Sequence, residues 1–324
     1  MHPPRRVVIV GYEAAELLDI ACVSTTLDTA NRIGADPAYE VVLATPGGRA
    51  ITCDSGLTLV AQEALERVRG QLDTLLVSGG YGHEAAAADP WLVDQVRRLA
   101  RTSRRVASVC TGASVLAAAG LLDGRRATTH WRFAPRLAAR HPAVDVDPTP
   151  IFIRDGDVAT SAGVTAALDL TLAFVEEDHG PELARRVARG LVTYLQRPGN
   201  QAQMSVFVAA RPPEHTVVRD LVDHIGSHLD DALSVSALAA RAAVSERHLT
   251  RLFLEQLGQT PGRYVRTARV EAAANLLAST TLPIASVAAR CGFGSTEALR
   301  QAFVARYGLP PSRYRAVHAA RLVG

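Results

Sequence analysis

The sequence contains no lysine, so all 35 of its Lys-or-Arg positions are arginines. Each of these cations is a planar guanidinium, which can bind phosphate or guanine through two parallel hydrogen bonds. The charges are also unevenly distributed. Residues 217–324 contain 13 arginines and 8 acidic residues, a net of +5, whereas residues 1–216 carry a net charge of −2. This segregation predicts that the C-terminal part binds a polyanion such as DNA.

Cysteine is scarce, and its four copies form no metal-binding motif. Cys22, Cys53, Cys110 and Cys291 include no C-x-x-C pair and no cysteine–histidine spacing typical of zinc. A run of about 18 apolar residues, which a membrane-spanning helix needs, is also missing. The first residues, MHPPRRVVIVGYE, lack the pattern of a signal peptide. We therefore expect a cytoplasmic protein with no metal, no cofactor and no membrane association.

The C-terminal third contains an internal repeat with a period of about fifty residues. Five apolar or turn residues recur at an offset of fifty, as Leu249 and Leu299, Phe253 and Phe303, Gly258 and Gly308, Pro261 and Pro311, and Tyr264 and Tyr314. A fixed period of this kind indicates a duplicated supersecondary unit. Each copy has the pattern of a helix-turn-helix, in which Ser245 or Ser295 caps the second helix.

The second helix of each copy carries polar side chains on the face opposite its apolar residues. A recognition helix needs this arrangement, because its back packs on the partner helix while its outer side chains meet base edges. A helical bundle with a solvated face is the alternative, but two copies in register favour DNA binding. The predicted base-contacting residues are Arg247, Thr250 and Arg251 in the first copy, and Thr296, Glu297, Arg300 and Gln301 in the second.

Residues 234–315 resemble the AraC/XylS family of DNA-binding domains. The resemblance lies in the stretches SVSALAARAAVSERHLTRLF and IASVAARCGFGSTEALRQAF, and in the LGQTPGRYV and YGLPPSRYR that follow them. It implies that the two recognition helices enter successive major grooves on one face of double-stranded DNA, with the seven residues above at the bases. RNA polymerase is a further candidate partner.

The N-terminal part has short apolar segments that alternate with helical ones. Strands are predicted at Val7–Val10, Tyr39–Ala44, Leu72–Ser78, Arg105–Val109 and Val158–Thr160, with helices between them. Buried strands that alternate with helices form a parallel sheet covered on both faces. The predicted fold class is therefore an α/β N-terminal domain, followed by an all-α domain that contains two helix-turn-helix units.

Cys110 stands directly between an apolar strand and the small-residue helix that begins near Gly112. This order is that of a nucleophile elbow, which raises one side chain above the edge of the sheet. We expect the helix N-terminus and the amide of Thr111 to favour a thiolate and lower the pKa of Cys110. A buried, inert thiol is the alternative.

Further polar groups are predicted at the same edge, where the carboxyl ends of parallel strands meet. Gly79 and Gly80 end the neighbouring strand and are expected to expose their amides. Asp19 follows the first strand, and His130 ends a short strand predicted at Ala127–Thr129. A structural role for His130 remains equally open.

Residues 5–205 resemble the ThiJ/PfpI superfamily, which has a flavodoxin-like, class I glutamine amidotransferase-like fold. The resemblance lies in Gly79-Gly80 and in the stretches VCTGASVLAAAGLLDGRRATTHW and TSAGVTAALDLTLAFV. It implies that Cys110 is the nucleophile position, His130 its partner, and Asp19 the acidic neighbour used by isonitrile hydratases.

The fusion of these two domains resembles the regulators often called GlxA-type. In that group the first domain senses a ligand, and known members respond to small nitrogen-containing metabolites. The chain is thus predicted to have a sensing and dimerisation domain at 1–207, a linker at 208–216 around Pro212-Pro213, and a DNA-binding domain at 217–324. The expected function is transcriptional regulation by a homodimer without enzymatic activity. An active cysteine-dependent hydrolase or hydratase, and a redox sensor at Cys110, are the alternatives.

Overall fold

The computed structural model describes residues 3–193, 203, 215–280 and 282–319. They belong to two compact units, Met1–Gln203 and Met204–Gly324, here called the first and second units. The predicted linker at 208–216 lies outside the described residues except for its last two positions, and Thr216 already begins a helix. The sequence pattern also predicts a helix over Glu182–Leu195, and the last two residues of that range lie outside the described part of the chain.

The first unit is built on a seven-stranded sheet with the order β10-β11-β7-β6-β1-β2-β5. All neighbouring strands in it are parallel except β10 and β11, which are antiparallel. Two small two-stranded sheets, β3-β4 and β8-β9, stand beside it. The strands are β1 Arg5–Val10, β2 Tyr39–Thr45, β3 Ile51–Thr52, β4 Thr58–Leu59, β5 Glu63–Ala64, β6 Leu72–Val77, β7 Ser103–Val109, β8 Arg126–Ala127, β9 Asp145–Val146, β10 Phe152–Asp155 and β11 Val158–Ser161.

Helices cover both faces of this sheet, which confirms the predicted fold class. Successive residues of a strand point to opposite faces, so Val8 and Val10 pack with α3 and α4, while Val7 and Ile9 pack with α1, α6 and α7. The helices of the first unit are α1 Leu17–Ile33, α2 His83–Ala88, α3 Pro90–Ala100, α4 Ala113–Ala118, α5 Ala134–Arg140, α6 Thr165–His179 and α7 Pro181–Gly190.

Two details near the predicted site differ from the sequence-based expectations. The strand predicted at Ala127–Thr129 is β8, Arg126–Ala127, which pairs with β9 outside the main sheet. His130 therefore lies three residues beyond its strand, in a turn. The helix after Cys110 has only six residues, Ala113–Ala118, and a 3₁₀ turn at Cys110–Gly112 precedes it.

The second unit consists of seven described helices arranged as a repeated helix-turn-helix. The long α11 connects the two copies, and the sequence pattern of residues 262–278 predicts a helix there. The helices are α8 Thr216–Ser227, α9 Val235–Arg241, α10 Glu246–Leu257, α11 Pro261–Ser279, α12 Ile284–Arg290, α13 Thr296–Tyr307 and α14 Pro311–Ala319. No helix in the described ranges combines the length and the apolar character needed to cross a bilayer.

The residues that repeat in sequence perform the same local tasks in both copies. Ser245 and Ser295 accept hydrogen bonds from the third backbone amide of α10 and α13, as predicted for helix caps. Gly258 and Gly308 end the same two helices in the left-handed conformation, which glycine adopts without strain. The predicted inward-facing side chains are buried, namely Leu249, Leu252, Phe253, Leu299, Ala302 and Phe303.

Candidate functional site

Cys110 occupies a left-handed backbone turn, with φ of 53°, directly after β7. Two glycine backbones enclose it. A Cβ atom added to Gly163 would lie 2.1 Å from the Cβ of Cys110, and one added to Gly79 would lie 2.4 Å away. Contacts this short are not tolerated, so a side chain at either glycine would force the turn apart. The elbow therefore depends on the ends of β6, β7 and β11 meeting at one point.

Asp19 is fully buried in the first turn of α1 and connects the two glycine segments. Its Oδ1 accepts a hydrogen bond of 2.6 Å from the amide of Val164, and its Oδ2 accepts one of 3.1 Å from the amide of Gly79. Burial raises the pKa of Asp19 to about 7, even though both hydrogen bonds act in the opposite direction. The structure thus brings Asp19 to the elbow, as the sequence predicted.

The amides of Gly79 and Gly80 are not exposed, contrary to expectation. Gly79 donates to Asp19, and Gly80 donates to the hydroxyl of Thr111 at 2.9 Å. The Thr111 hydroxyl in turn donates to the carbonyl of Gly80 at 2.9 Å. Both glycines are buried, so their amides are needed to satisfy polar groups inside the protein. These two amides stabilise the loop and are not free to bind an oxyanion.

The expectation of a low pKa at Cys110 is wrong in direction. Burial raises the pKa of the thiol, and the negative charge of Asp19 raises it further. The hydrogen bonds from Thr111 lower it, but by less. The 3₁₀ turn and the short α4 also leave no long helix whose dipole could stabilise a thiolate. The surroundings of Cys110 therefore disfavour the thiolate.

His130 is near the elbow without pairing with its thiol. Within the described residues, no hydrogen bond joins Cys110 to His130, whose Nδ1 instead accepts from the amide of Arg132 at 3.3 Å. The connection runs through the backbone, because the hydroxyl of Thr129 donates to the carbonyl of Cys110 at 2.8 Å. Burial lowers the pKa of His130. The arrangement lacks the nucleophile–base hydrogen bond that cysteine catalysis uses.

An aromatic group not recognised in the sequence stands beside the elbow. The ring of Phe133 lies 5.8 Å from that of His130, 5.1 Å from that of His83 and 6.3 Å from that of Tyr81. His83 is buried and lies 3.0 Å from the hydroxyl of Ser114, in the helix that follows the elbow. No local motif marks these residues, since three separate segments bring them together.

Three carboxyl groups lie close enough to raise the pKa of neighbouring groups in the site. The charge of Glu16 acts on Asp19 and on Cys110, and the charge of Asp54 acts on Asp19 and on the buried Tyr12. Both carboxylate oxygens of Asp54 also accept a hydrogen bond from the backbone amide of Tyr81, Oδ1 at 3.2 Å and Oδ2 at 2.9 Å. Sequence spacing gave no signal for Asp54, which follows β3 on a separate small sheet.

Gln203, the last residue of the first unit, binds to the segment that precedes His130. Its Nε2 donates to the carbonyl of Thr129 at 2.8 Å and to the hydroxyl of Thr128 at 3.1 Å. Its Oε1 accepts from the amide of Trp131 at 2.8 Å. The side-chain amide of Gln203 thus supplies hydrogen-bond partners that a neighbouring backbone would otherwise provide, and it fixes the position of residues 128–131. The sequence gave no indication of this contact.

The predicted DNA-contacting residues lie on α10 and α13 of the second unit. All are exposed except Thr250, which is half-buried. Arg251 lies 3.1 Å from Nδ1 of His248. Glu297 accepts two hydrogen bonds of 2.7 Å from Arg300 and one of 3.1 Å from Gln301, which lowers the pKa of Glu297 to about 2. If Arg300 contacts DNA, as the sequence predicts, it has to give up part of this pairing with Glu297.

We predict that Asp19→Asn speeds the alkylation of Cys110 by iodoacetamide at pH 8.5. Removing the carboxylate charge lowers the pKa of the thiol, and a fall of one unit would raise the thiolate fraction about tenfold. The effect should shrink at pH 6, where Asp19 with its pKa of about 7 is already protonated. Mass spectrometry of the labelled peptides gives the rate.

Asp28→Asn is the matched control, because Asp28 is an exposed carboxylate on the same helix that pairs with Arg32. Cys291, buried in the second unit, is an internal reference for protein integrity. Equal alkylation rates in the wild type and Asp19→Asn at pH 8.5 would contradict the electrostatic account of the site.

Comparison with known proteins identifies both units. The model of the DJ-1/PfpI family matches residues 5–177, and a helix-turn-helix domain model matches residues 238–316. The chain is similar to isonitrile hydratase of Pseudomonas putida in a more limited way, with 38% identity over 138 residues, which are 42% of this chain and 58% of that protein.

Two transcriptional regulators match nearly the whole chain. HTH-type transcriptional regulator CdhR of Pseudomonas aeruginosa is 36% identical, over 90% of this chain and 85% of its own length. HTH-type transcriptional regulator GlxA of Rhizobium meliloti is 31% identical, over 92% of each chain. The chain therefore belongs to the DJ-1/PfpI family, in the group of HTH-type transcriptional regulators that join such a domain to an AraC-type DNA-binding domain.

Proposed function

We propose that this DNA-binding transcriptional regulator senses a small nitrogen-containing metabolite at the Cys110 elbow and does not catalyse its conversion. One observation carries the proposal: the thiol is buried beside Asp19, its pKa is raised, and no base is hydrogen-bonded to it in the described residues. A cysteine nucleophile needs a thiolate or an adjacent base. Without either, the site can still bind a ligand.

The chemistry of the surrounding groups favours a cationic nitrogen in that ligand. Glu16, Asp19 and Asp54 supply negative charge, which a buried cation needs as a partner. The rings around Phe133 supply aromatic faces, which attract cations through their quadrupoles. A positively charged amine would therefore satisfy both features.

A chain of hydrogen bonds from the elbow to the end of the first unit supports a route for the proposed binding signal. A ligand that touches the elbow would act on the Cys110 carbonyl, which accepts from Thr129, and Gln203 binds the carbonyl of Thr129. Only twelve residues in sequence separate Gln203 from Thr216, where the first described helix of the second unit begins. We propose that rearrangement of this hydrogen-bonded chain changes how the DNA-binding unit is presented.

The remaining roles follow from DNA binding. Residues 1–207 would form the sensing and dimerisation domain, 208–216 the linker and 217–324 the DNA-binding domain. A homodimer would hold two helix-turn-helix pairs near adjacent half-sites and raise their effective concentration. The site of action would be the cytoplasm, where the operator and RNA polymerase are found.

A cysteine-dependent hydratase or hydrolase is the second candidate. The similarity to isonitrile hydratase favours it, together with the pKa of about 7 for Asp19, which suits a group that exchanges protons at neutral pH. A redox sensor at Cys110 is less well supported, because oxidation to a sulfenic acid requires thiolate character.

Arg251 is predicted to read bases from α10. Arg251→Ala should weaken binding to a selected operator by about 1–3 kcal/mol and relax the sequence preference at one position, while the salt dependence stays nearly unchanged. Fluorescence anisotropy of the full-length chain at several salt concentrations measures both quantities. Arg32→Ala, which removes an exposed arginine from the first unit, controls for net charge. A salt slope reduced by about one, with unchanged sequence preference, would instead make Arg251 a phosphate contact.

Cys110→Ser separates the sensor from the enzyme. We expect the variant to fold, to bind the operator with wild-type affinity and to change only the response to the amine that stabilises the protein in a thermal-shift screen. If the protein is an enzyme, the wild type should convert that compound and the serine variant should lose several orders of magnitude in turnover. Product detected by mass spectrometry with the wild type would overturn the sensor proposal.

A further inference from the structure

Arg269 lies at the middle of α11, where the two helix-turn-helix copies meet. The residue before it, Ala268, belongs to the core of the first copy together with Leu249 and Phe253. Cys291 and Gly292, at the end of α12, belong to the second copy, and Gly292 packs against the Arg269 side chain. Arg269 is therefore in a position to contact both copies from the helix that they share.

The guanidinium of Arg269 binds the loop that leads into the first copy. Its Nε donates to the carbonyl of Leu229 at 2.9 Å, and its Nη2 donates to the carbonyl of Asp231 at 2.7 Å. The two donors of one planar group thus fix two carbonyls of the loop between α8 and α9. A lysine ammonium could not reproduce this geometry, because it is a single point charge.

The turn of the second copy, at Gly292, packs against the same guanidinium of Arg269. A Cβ atom added to Gly292 would lie 2.1 Å from the carbonyl oxygen of Leu229 and 2.6 Å from Nη2 of Arg269. The backbone of Gly292 therefore packs against both the carbonyl of Leu229 and the guanidinium of Arg269. Loop, guanidinium and turn form one junction, which we call the Arg269 junction.

The sequence repeat shows that Gly292 is a glycine because of this junction. Its equivalent in the first copy, forty-nine residues earlier, is Ala243. Both residues have a left-handed backbone, with φ of 69° for Gly292 and 53° for Ala243. The turn conformation alone therefore accepts an alanine, and the close packing at the Arg269 junction is what excludes one.

The space around the junction is open. A cavity of about 600 Å³ is lined by Val235 and Val265 on the first-copy side and by Phe293 and Ala298 on the second-copy side. Apolar side chains that face each other across an open cavity make few direct contacts, so they contribute little to holding the two copies in one orientation. Direct hydrogen bonds and backbone contact at the junction restrict that motion.

We propose that Arg269 is a positioning residue that fixes the relative orientation of α10 and α13, and thereby the spacing between the two DNA segments that one chain recognises. The proposal rests on the paired recognition helices described above. One added base pair rotates the second major groove by about 35° and moves it by about 3.4 Å. A rigid pair of recognition helices accepts one spacing, whereas a loosened pair accepts several.

The test measures spacing preference with the full-length chain. An operator is first selected from random duplexes, and its two contacted segments are mapped by footprinting. Duplexes with one base pair inserted or removed between these segments are then compared by anisotropy. The wild type should lose roughly tenfold or more in affinity at each altered spacing. Arg269→Gln should bind the original spacing more weakly and lose less than about threefold at the altered ones.

Arg266→Gln is the matched control. Arg266 is an exposed arginine on the same helix that lines the same cavity, so its loss should reduce affinity equally at every spacing. Arg269→Lys retains the charge and should still relax the spacing preference. If circular dichroism shows that Arg269→Gln is unfolded, the spacing preference of Arg269→Lys tests the proposal in its place. Wild-type discrimination in a folded Arg269 variant would overturn the proposal. Failure of the wild type to bind any selected duplex would instead refute the DNA contacts themselves.

Discussion

The packing of two glycine backbones against Cys110 is the constraint on which the first unit depends. Gly79 and Gly163 leave room for a left-handed turn at Cys110. Asp19 links the two glycine segments because its carboxylate accepts one hydrogen bond from the amide of Gly79 and one from the amide of Val164. The ends of three parallel strands and the start of α1 are thereby held at one point. These contacts hold the elbow in one conformation, and such preorganisation would lower the entropic cost of binding the proposed ligand.

The same packing supports the proposed sensor, although the order of strand, cysteine and helix is that of an enzyme site. Close contact buries the thiol and places it beside a carboxylate, and both effects raise the pKa of Cys110. The amides that could have bound an oxyanion are instead used within the loop. What the site retains is shape, negative charge and aromatic surface, which are properties for recognition.

Local and repeated patterns were predictable from sequence, whereas contacts between distant segments were not. The strands, the helix caps at Ser245 and Ser295 and the buried Leu249 and Leu299 follow from periodicity and spacing. The direction of the Cys110 pKa did not, because it depends on burial and on Asp19, ninety-one residues away. Gln203 and the ring group around Phe133 likewise become recognisable only once the chain is folded.

We propose that ligand binding in the first unit and DNA binding in the second are coupled. Thermodynamic linkage makes this coupling reciprocal. The most direct test is calorimetric titration of the full-length protein with the amine that stabilises it, with and without saturating operator DNA. We predict that operator DNA changes the ligand Kd by the same factor by which the ligand changes the operator Kd. An identical ligand Kd in both titrations would contradict it.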